Sequence, residues 1–495
     1  TEKDRHTRDF TLNSLLTALV EVIACFPVYR TYVNECGVIE RDRHYVEQAV
    51  NRARRKNPAM SGTIFEYLKS VLLLKYPDDF NEADRAEWLD FVMRFQQVTG
   101  PVMAKGMEDT VFYVYNRLIS LNEVGGNPEK FGVSLESFHQ QNLERNRMWP
   151  HQLNATSTHD TKRSEDVRAR INVLSEIPEE WRIALGRWSR LNKKKKTLLE
   201  DEPAPDRNEE YLLYQTLLGA WPLDLEAPDE AFRQRIRDYA VKAVREAKVN
   251  SSWISPNAAH EEALLKFVDS LLDPSPDNFF LKDMGPLRRK VSFFGMLNSL
   301  SQTLLKIALP GVPEFYQGSE IWDFSLVDPD NRRPVDFRRR MDILKSVQGG
   351  REDPGKARAL LQDWKSGAVK FYVCLRSLHF RRENPLLFGE GEYLPLESRG
   401  ALAENACAFA RVKSGASAVM IVPRLLTRVT GGRMEAPLGD AWGDSSIVQP
   451  QEVPGAEFRN VFTGAAVRGV GRNGRTVLPL AEVFAHFPVA LLASK

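Results

Sequence analysis

The segment HQLNATSTHDTKRSEDVRARINVL, residues 151–174, gives the clearest indication of the fold class. It begins with small and β-branched residues and stops on polar ones, which is typical of a short strand. Ser164 then precedes two acids, the pattern of a helix N-cap, and apolar residues recur at helical spacing from Val167 to Leu174. A strand that ends in polar residues and leads directly into a helix is the repeating unit of α/β proteins.

Two other segments predict a strand followed by a polar loop. GPVMAK, residues 100–105, is short, apolar and led by Gly-Pro. LLKIALPGVPEFYQ, residues 304–317, passes into a long polar loop over 318–337, and a loop of that length in a compact domain is usually functional. We therefore predict strands at about 100–105, 153–159 and 305–312. In a (β/α)8 barrel the active site lies at the C-terminal ends of such strands.

The rest of the chain predicts helices and a terminal β-domain. Amphipathic stripes such as Leu12 to Val20 predict helices, whereas glycine becomes frequent and predicted strands short from about Phe388. The predicted parts are a helical insertion over 1–95, a barrel segment with two strands over 96–175, a second helical insertion over 176–295, a barrel segment with the third strand over 296–387, and an antiparallel β-domain over 388–495.

Composition excludes several classes of function. The 495 residues include 68 Lys or Arg and 66 Asp or Glu, for a formal net charge of +2. This near-balance argues against a surface dedicated to nucleic acid or anionic membranes. No apolar run is long enough to span a bilayer, and the N-terminal residues are too charged for a signal peptide. The 4 cysteines fit neither a disulfide framework nor a zinc site, so we expect a reducing, cytoplasmic location and no metal.

His159 and Asp160 are the first candidate site residues. No glycine-rich phosphate motif follows a predicted strand and opens a helix, and no nucleophile elbow or HExxH motif occurs. The imidazole could donate to a sugar hydroxyl and the carboxylate could accept from one. Lys162 and Arg163 add donors and favour the ionised carboxylate. The same acid could instead satisfy backbone N–H groups at a helix N-terminus.

Two further loops carry side chains of the same kinds. Lys105, Glu108 and Asp109 follow the first predicted strand, and Tyr316 and Gln317 follow the third. Aromatic rings stack on sugar faces, whereas fixed polar groups select hydroxyls. Each loop alone would also fit a structural network of ion pairs. Three such loops after three successive strands favour a carbohydrate site.

These segments resemble the maltooligosyltrehalose synthases of the α-amylase superfamily, glycoside hydrolase family 13. TSTHDTKRSEDVRARI (156–171) is similar to the segment around that family's third catalytic carboxylate. The resemblance continues in FQQVTGPVMAKGMEDTVFYVYNRLISLNEVGG (95–126), PGVPEFYQGSEIWDFSLVDPDNRRPVDF (310–337) and VEVIACFPVYRTYV (20–33), and it covers nearly the whole chain. The K-G-x-E-D-T and HDTKR-x-E-D-V-R-A-R forms are its most specific elements.

The resemblance implies a glucosylmutase, which converts the reducing-end α-1,4 linkage of a maltooligosaccharide into an α,α-1,1 linkage. The reaction is an intramolecular transglycosylation of the retaining type, without metal or organic cofactor. Asp160 matches the carboxylate that stabilises the transition state. The residues expected to bind substrate are His159, Lys105, Glu108, Asp109, Lys162, Arg163, Tyr316 and Gln317.

The sequence departs from the family in one respect. The family's nucleophile lies in an Arg-x-Asp motif after the fourth barrel strand, and its general acid is a Glu after the fifth. Nothing in 1–95 resembles either, and the predicted strands match only strands six to eight, which cannot close a barrel. We therefore expect the C-terminal part of such an enzyme, which carries one of three catalytic carboxylates, is inactive alone and requires the missing N-terminal portion as its partner.

Two alternatives stay open at this point. One is another α-glucan hydrolase of the same superfamily, which would let water rather than glucose capture the intermediate. The K-G-x-E-D-T element, residues 105–110, favours the isomerase. The other is a non-catalytic glucan-binding fragment. A purely structural helical protein would leave the three sugar-type loops unexplained.

Overall fold

The computed structural model describes residues 8–349, 352–472 and 474–494. The chain forms two compact units, one up to Val114 and one from Tyr115 onward. The division into five parts drawn from the sequence stays a prediction. Among the described residues, no helix combines the length and apolar character needed to cross a bilayer.

The described part of the first unit contains four α-helices of eight or more residues, which pack around an apolar core. Numbered α1 to α4, they are Leu12–Ala24, Glu40–Lys56, Gly62–Leu72 and Glu82–Met103. Capping residues stabilise the N-termini of α1 and α4. The Thr11 side chain accepts from Ser14 N, and Asn81 and Asp84 form a reciprocal capping box. The buried core side chains include Val22, Val46, Phe65 and Phe95. Helices are thus observed over 1–95 as predicted, apart from residues 1–7, which lie outside the described part.

The segment 100–105, for which the sequence predicts barrel strand six, is helical, so that prediction is wrong. Helix α4 continues through it to Met103 with Pro101 inside, and a π-helical segment follows over Ala104–Val111. A short apolar run looks the same in a buried strand and in a helix. Proline fixes φ near the helical value and removes one donor, so packing can retain a helix across it.

Ten helices of eight or more residues are described in the second unit. Numbered α5 to α14, they are Leu135–Met148, Glu165–Asn172, Pro178–Asn192, Arg207–Ala220, Glu230–Ala247, Ala258–Leu271, Phe279–Ala308, Phe337–Gln348, Pro354–Gln362 and Ala368–Glu383. Helix α11 is the longest, with 30 residues, and most of them are buried. A small antiparallel hairpin, Thr197–Leu199 with Glu202–Ala204, interrupts the helices of the region 176–295.

Two short strands, Leu153–Asn154 and Val312–Pro313, form a parallel pair. The first lies in the predicted strand segment 153–159, and the second overlaps the predicted segment 305–312 only at Val312. Each has only two residues, because α11 occupies the second segment up to Ala308 and a polar turn follows the first strand. The predicted strand lengths are therefore wrong. Among the described residues, parallel pairing is confined to this pair. Its completion into a (β/α)8 barrel stays a prediction.

Antiparallel sheets follow residue 388, as the sequence predicts. One has six strands in the spatial order Ala466–Arg468, Glu457–Asn460, Ala490–Ser494, Ala416–Pro423, Ala406–Lys413 and Glu392–Pro395. The other has four, in the order Val470–Arg472, Arg475–Pro479, Ser446–Gln449 and Ser398–Arg399. Ser414 and Gly415 join the two longest strands, both with positive φ (49° and 82°), as a tight two-residue hairpin requires. Side chains of both sheets share a core with the buried Trp442.

Candidate functional site

The parallel strand pair brings the starts of two loops side by side. Val312 N donates to Gln152 O over 2.8 Å, and Glu314 N donates to Asn154 O over 2.9 Å. The strands can approach this closely because residue 311 is glycine. Gly311 has a φ of +117°, and an added Cβ would lie 2.7 Å from the carbonyl oxygen of Gln152. The loops that follow the two strands therefore begin next to each other.

The first loop, residues 155–164, turns sharply and exposes His159 and Asp160. Asp160 N donates to Thr158 Oγ1 over 3.2 Å, which fixes the turn. The Asp160 side chain is 52% exposed, and its Oδ1 lies 3.7 Å from Nζ of Lys162, whose side chain is 3% exposed. The loop thus presents a carboxylate to solvent with a buried ammonium group beside it.

The Glu123 carboxylate anchors the second half of this turn. Its Oε1 accepts from Lys162 N over 2.8 Å, and its Oε2 accepts from Arg163 N over 3.2 Å. The guanidinium of Arg168 lies 3.7 Å from the same carboxylate. Hydrogen bonds to an ionised acceptor are stronger than neutral ones, so Glu123 restrains the backbone on which Lys162 stands.

The second loop, residues 314–336, is tied to the first. Asn331 Nδ2 donates to His159 O over 3.0 Å, and the Tyr316 hydroxyl donates to Asn331 O over 3.2 Å. Gln317 follows on the same loop and is exposed. The structure therefore joins His159 and Tyr316 through Asn331, a residue of the polar loop predicted over 318–337.

Arg163 lies inside the protein rather than at the loop surface. It is 1% exposed, and its Nη2 donates to the Tyr239 hydroxyl over 2.8 Å. Its Nη1 donates to Ile119 O over 3.4 Å. In this structure Arg163 ties the loop to α9, and its contact with substrate stays a prediction.

Positive charge surrounds the loop site. Lys242 Nζ donates to Asp328 Oδ1 over 2.9 Å, and Arg332 lies 3.7 Å from the same carboxylate. Burial alone would raise the pKa of Asp328, but Lys242, Arg332 and Lys162 together lower it. Asp328 therefore carries a negative charge near neutral pH and compensates part of the cationic surroundings.

Behind the loop, two adjacent acids at the start of α6 meet two buried lysines. Lys370 Nζ donates to Glu165 Oε1 over 2.7 Å and to Asp166 Oδ2 over 2.9 Å. Lys306 Nζ lies 3.4 Å from Glu165 Oε2. The Asp166 carboxylate also accepts from Asp323 N over 2.8 Å, so this ionic cluster links α6 to the second loop, α11 and α14.

The cluster shifts the pKa values of its members in different directions. Burial would raise the pKa of Glu165, but Lys370 and Lys306 outweigh burial and lower it to about 2. Burial raises the pKa of Asp166, and the neighbouring charge of Glu165 adds to this. Burial lowers the pKa of Lys306. Glu165 is therefore the ionised member of the acidic pair at all but strongly acidic pH.

The other expected substrate-binding residues lie in the first unit, on the π-helical segment. Lys105 Nζ donates to Asp109 Oδ2 over 2.6 Å, and the lysine side chain is 77% exposed. Glu108 is buried and accepts from the Tyr29 hydroxyl. π-Helical turns occur frequently at functional sites. The substrate-binding roles of these three residues stay predictions.

Sequence reasoning missed the two lysines of the ionic cluster, although a signal for both exists. Lys306 stands in the apolar run LLKIAL and Lys370 in the run AVKFYV. A lysine in an apolar helical run is buried only when a carboxylate pairs with it. That signal points to a buried acid elsewhere in the chain, without identifying Glu165.

The exposed carboxylate of Asp160 can accept hydrogen bonds from hydroxyl groups and stabilise a positively charged centre. His159 adds a ring nitrogen on the same turn. Glycoside chemistry normally uses a pair of carboxylic groups that flank the bond. Within the described part of the chain, no three His, Cys, Asp or Glu side chains are arranged to hold a metal ion.

Several solved structures are similar to this helix-rich α/β chain with antiparallel sheets. The structure of maltooligosyltrehalose synthase from Arthrobacter ramosus superposes with a TM-score of 0.78 and 34% identity, over 100% of this chain and 55% of that one. The structure titled as a hypothetical maltooligosyl trehalose synthase of Sulfolobus tokodaii gives a TM-score of 0.68 and 30% identity, over 96% of this chain and 53% of that one.

Sequence comparison gives two further relatives whose names include maltooligosyl trehalose synthase. The chain is 37% identical over 407 residues to a putative maltooligosyl trehalose synthase of Mycobacterium tuberculosis, both in strain CDC 1551 and in strain H37Rv. The aligned residues make up 81% of this chain and 45% of the relative. The chain thus spans about half the length of the curated relatives that it matches. No family model matches it.

Proposed function

We propose that this chain supplies Asp160 and part of the substrate-binding surface of a maltooligosyltrehalose synthase, a glucosylmutase of glycoside hydrolase family 13. The observation that carries the proposal is the exposed carboxylate of Asp160 beside the buried Lys162, on a loop that follows a parallel strand. It stands in a chain that is 37% identical to synthases over 81% of its length.

The proposed reaction moves a glucosidic bond within one substrate molecule. A carboxylate nucleophile displaces O4 of the reducing-end glucose, a carboxylic acid protonates that oxygen, and a glycosyl-enzyme forms. The released glucose turns over and attacks through its anomeric oxygen, which regenerates the nucleophile and forms the α,α-1,1 bond. Capture by glucose requires that water be kept out.

Asp160 would stabilise the positive charge that develops on the reacting ring and would accept from its hydroxyls. His159, exposed on the same turn, would donate to a neighbouring hydroxyl. The buried ammonium group of Lys162 lies 3.7 Å from the Asp160 carboxylate, next to the position of this ring. Tyr316 and Gln317 would bind from the second loop, and Arg163 would hold the first loop in place.

The nucleophile and the general acid would come from polypeptide outside this chain, which is then the partner of the C-terminal barrel part. Lys105, Glu108 and Asp109 would hold the terminal glucose from the π-helical segment of the first unit. Cys25, Cys36, Cys374 and Cys407 are free, which supports a reducing, cytoplasmic location for the assembled enzyme.

The test is product formation from maltopentaose by the 495-residue chain, alone and together with the polypeptide that carries the two missing carboxylates. We expect no turnover by the chain alone. Together, the two polypeptides should remove reducing ends and produce an α,α-1,1 anomeric signal in the proton NMR spectrum. An increase in reducing ends would indicate a hydrolase, and glucan binding without any product would indicate a non-catalytic fragment. Either result would overturn the proposal.

A further inference from the structure

A cavity of about 240 Å³ opens between the end of α8, the middle of α11 and the turn before α14. Three aromatic residues line it, namely Trp221, Phe293 and Trp364. None of the described residues assigned above to substrate binding lines it. Ligand pockets for drug-sized molecules usually measure ~300–1,000 Å³, so this cavity fits a ligand of about one sugar ring.

Two of the aromatic side chains that line the cavity are partly exposed, and the third is buried. Phe293 and Trp364 contact edge to face, with ring centroids 5.9 Å apart, and both are half-buried. Trp221 is buried, and the guanidinium of Arg288 lies 4.7 Å from its ring centroid. Partly exposed aromatic faces in a concave site favour the C–H face of a pyranose ring.

The charges around the cavity do not cancel. Arg288 is already paired, because its Nη2 donates to Glu226 Oε2 over 3.1 Å and its Nη1 donates to Leu225 O over 3.1 Å. Arg289 and Lys365 are exposed at the rim, and neither forms an ion pair with any described residue. The cavity therefore has an aromatic wall and a rim with two uncompensated cations.

A small recess adjoins the cavity. The recess has a volume of about 10 Å³ and shares Leu223, Ser292 and Trp364 with the outer cavity. Its lining includes Arg170, which is 2% exposed and donates through Nη1 to Trp221 O over 2.6 Å. The Arg170 Nη2 has no hydrogen-bond partner in the described part of the chain. A buried donor of this kind is expensive to leave unsatisfied, so the recess is suited to an oxygen atom.

We propose that this cavity binds a pyranose that carries one anionic group. The ring would rest against Trp364 and Phe293, and the anionic group would lie between Arg289 and Lys365. An oxygen of the ligand, or a water molecule held beneath it, would accept from Arg170 Nη2. A sugar phosphate and a sugar carboxylate share this chemistry. The site needs no catalytic step, so it is independent of the synthase proposal.

The test is ligand-observed NMR with the 495-residue chain and four probes: glucose 6-phosphate, glucuronate, glucose and inorganic phosphate. We expect glucose 6-phosphate to bind at least about tenfold more tightly than either glucose or phosphate, and more weakly as salt is added. Glucuronate binding as tightly would assign the carboxylate as the anionic group, and weaker glucuronate binding would assign the phosphate. Both results support the proposal.

Two double variants separate this site from general charge effects. Arg289→Gln with Lys365→Gln should weaken binding of glucose 6-phosphate about tenfold. Lys194→Gln with Arg338→Gln removes the same charge from exposed positions that do not line the cavity, and should change nothing. Equal losses in both variants, or glucose binding as tightly as glucose 6-phosphate, would overturn the proposal. Because all four side chains are exposed, both variants should fold.

Discussion

Lys370 Nζ lies 2.7 Å from Oε1 of Glu165, and both side chains are completely buried. The two residues stand 205 positions apart in the chain, one near the start of α14 and the other at the first residue of α6. The pair fixes the helix that follows the Asp160 turn against the helices behind it. The ionic cluster therefore connects the stability of the second unit to the position of the candidate site.

Replacing Lys370 by methionine should strongly destabilise the second unit. The change leaves Glu165 and Asp166 buried without their main counter-charge, and breaking one partner of a buried pair typically costs about 3–5 kcal/mol. The measurement is urea unfolding followed by circular dichroism. The control is Lys345→Met, because Lys345 is exposed. This variant should have the same urea midpoint as the parent. Equal midpoints for Lys370→Met and the parent would show that the cluster does not stabilise the fold.

The same cluster predicts a pH dependence of stability. The pKa of Glu165 is lowered to about 2 in the folded chain, whereas an unfolded glutamate titrates near its ordinary value of about 4.3. A lowered carboxyl pKa stabilises the fold above the unfolded pKa, and this contribution is lost as the pH falls toward the folded pKa. The parent should therefore lose melting temperature between about pH 5 and about pH 2 more steeply than Glu165→Gln. Parallel curves for the two proteins would contradict this.

Glu165→Gln also removes an ion pair, so its absolute stability is lower at neutral pH. The informative quantity is therefore the difference between the two melting curves, which should shrink as the pH falls. Glu129→Gln is the matched control, because Glu129 is an exposed glutamate, and its curve should run parallel to that of the parent.

Local signals in the sequence predicted local structure well. Ser164 was expected to cap a helix, and its side chain accepts from Val167 N at the start of α6. The antiparallel sheets after residue 388 follow from alternation and turn residues in the same way. In contrast, the apolar run 100–105 has no periodicity that separates strand from helix, and in the structure it continues α4.

In the candidate site, too, the features that depend on local sequence were predictable and those that depend on distant residues were not. The exposed turn with His159 and Asp160 was predictable, because short-range polar residues build it. Its supports were not, since Glu123 and Lys370 come from distant parts of the chain and act through side-chain hydrogen bonds. A pattern in one sequence identifies a residue type at a position, but it does not identify the partner across the fold.

Replacing Glu123 by glutamine should loosen the turn without unfolding the unit. Besides Val124 N, the carboxylate accepts from the two backbone N–H groups of Lys162 and Arg163, and an amide has only one acceptor oxygen. Hydrogen exchange at those two amides should accelerate, as followed by mass spectrometry of the peptide around them. The exposed Glu129→Gln variant should leave their exchange unchanged. Unchanged hydrogen exchange in Glu123→Gln would mean that the turn is stable without the Glu123 carboxylate.

Two glycine-to-alanine variants should change stability in opposite directions. Gly311→Ala places a Cβ 2.7 Å from Gln152 O at a φ of +117°, and should destabilise the parallel pair by about 1–3 kcal/mol. Gly186→Ala lies within α7 with nothing near the new Cβ, and should stabilise by about 0.5–1 kcal/mol. Thermal unfolding of both compares them directly. Destabilisation of equal size in both variants would show that the close approach of the two strands does not require glycine at position 311.

Asp160→Asn should separate stability from activity. The side chain is 52% exposed and its ammonium neighbour is 3.7 Å away, so the melting temperature of the chain should change little. In the assembled enzyme proposed above, kcat on maltopentaose should fall by about 10²–10³, because an amide cannot stabilise a developing positive charge as a carboxylate does. KM should change much less, since the amide oxygen still accepts from hydroxyls. A matched fall in melting temperature and kcat would instead assign Asp160 to the helix N-terminus, as a structural acid.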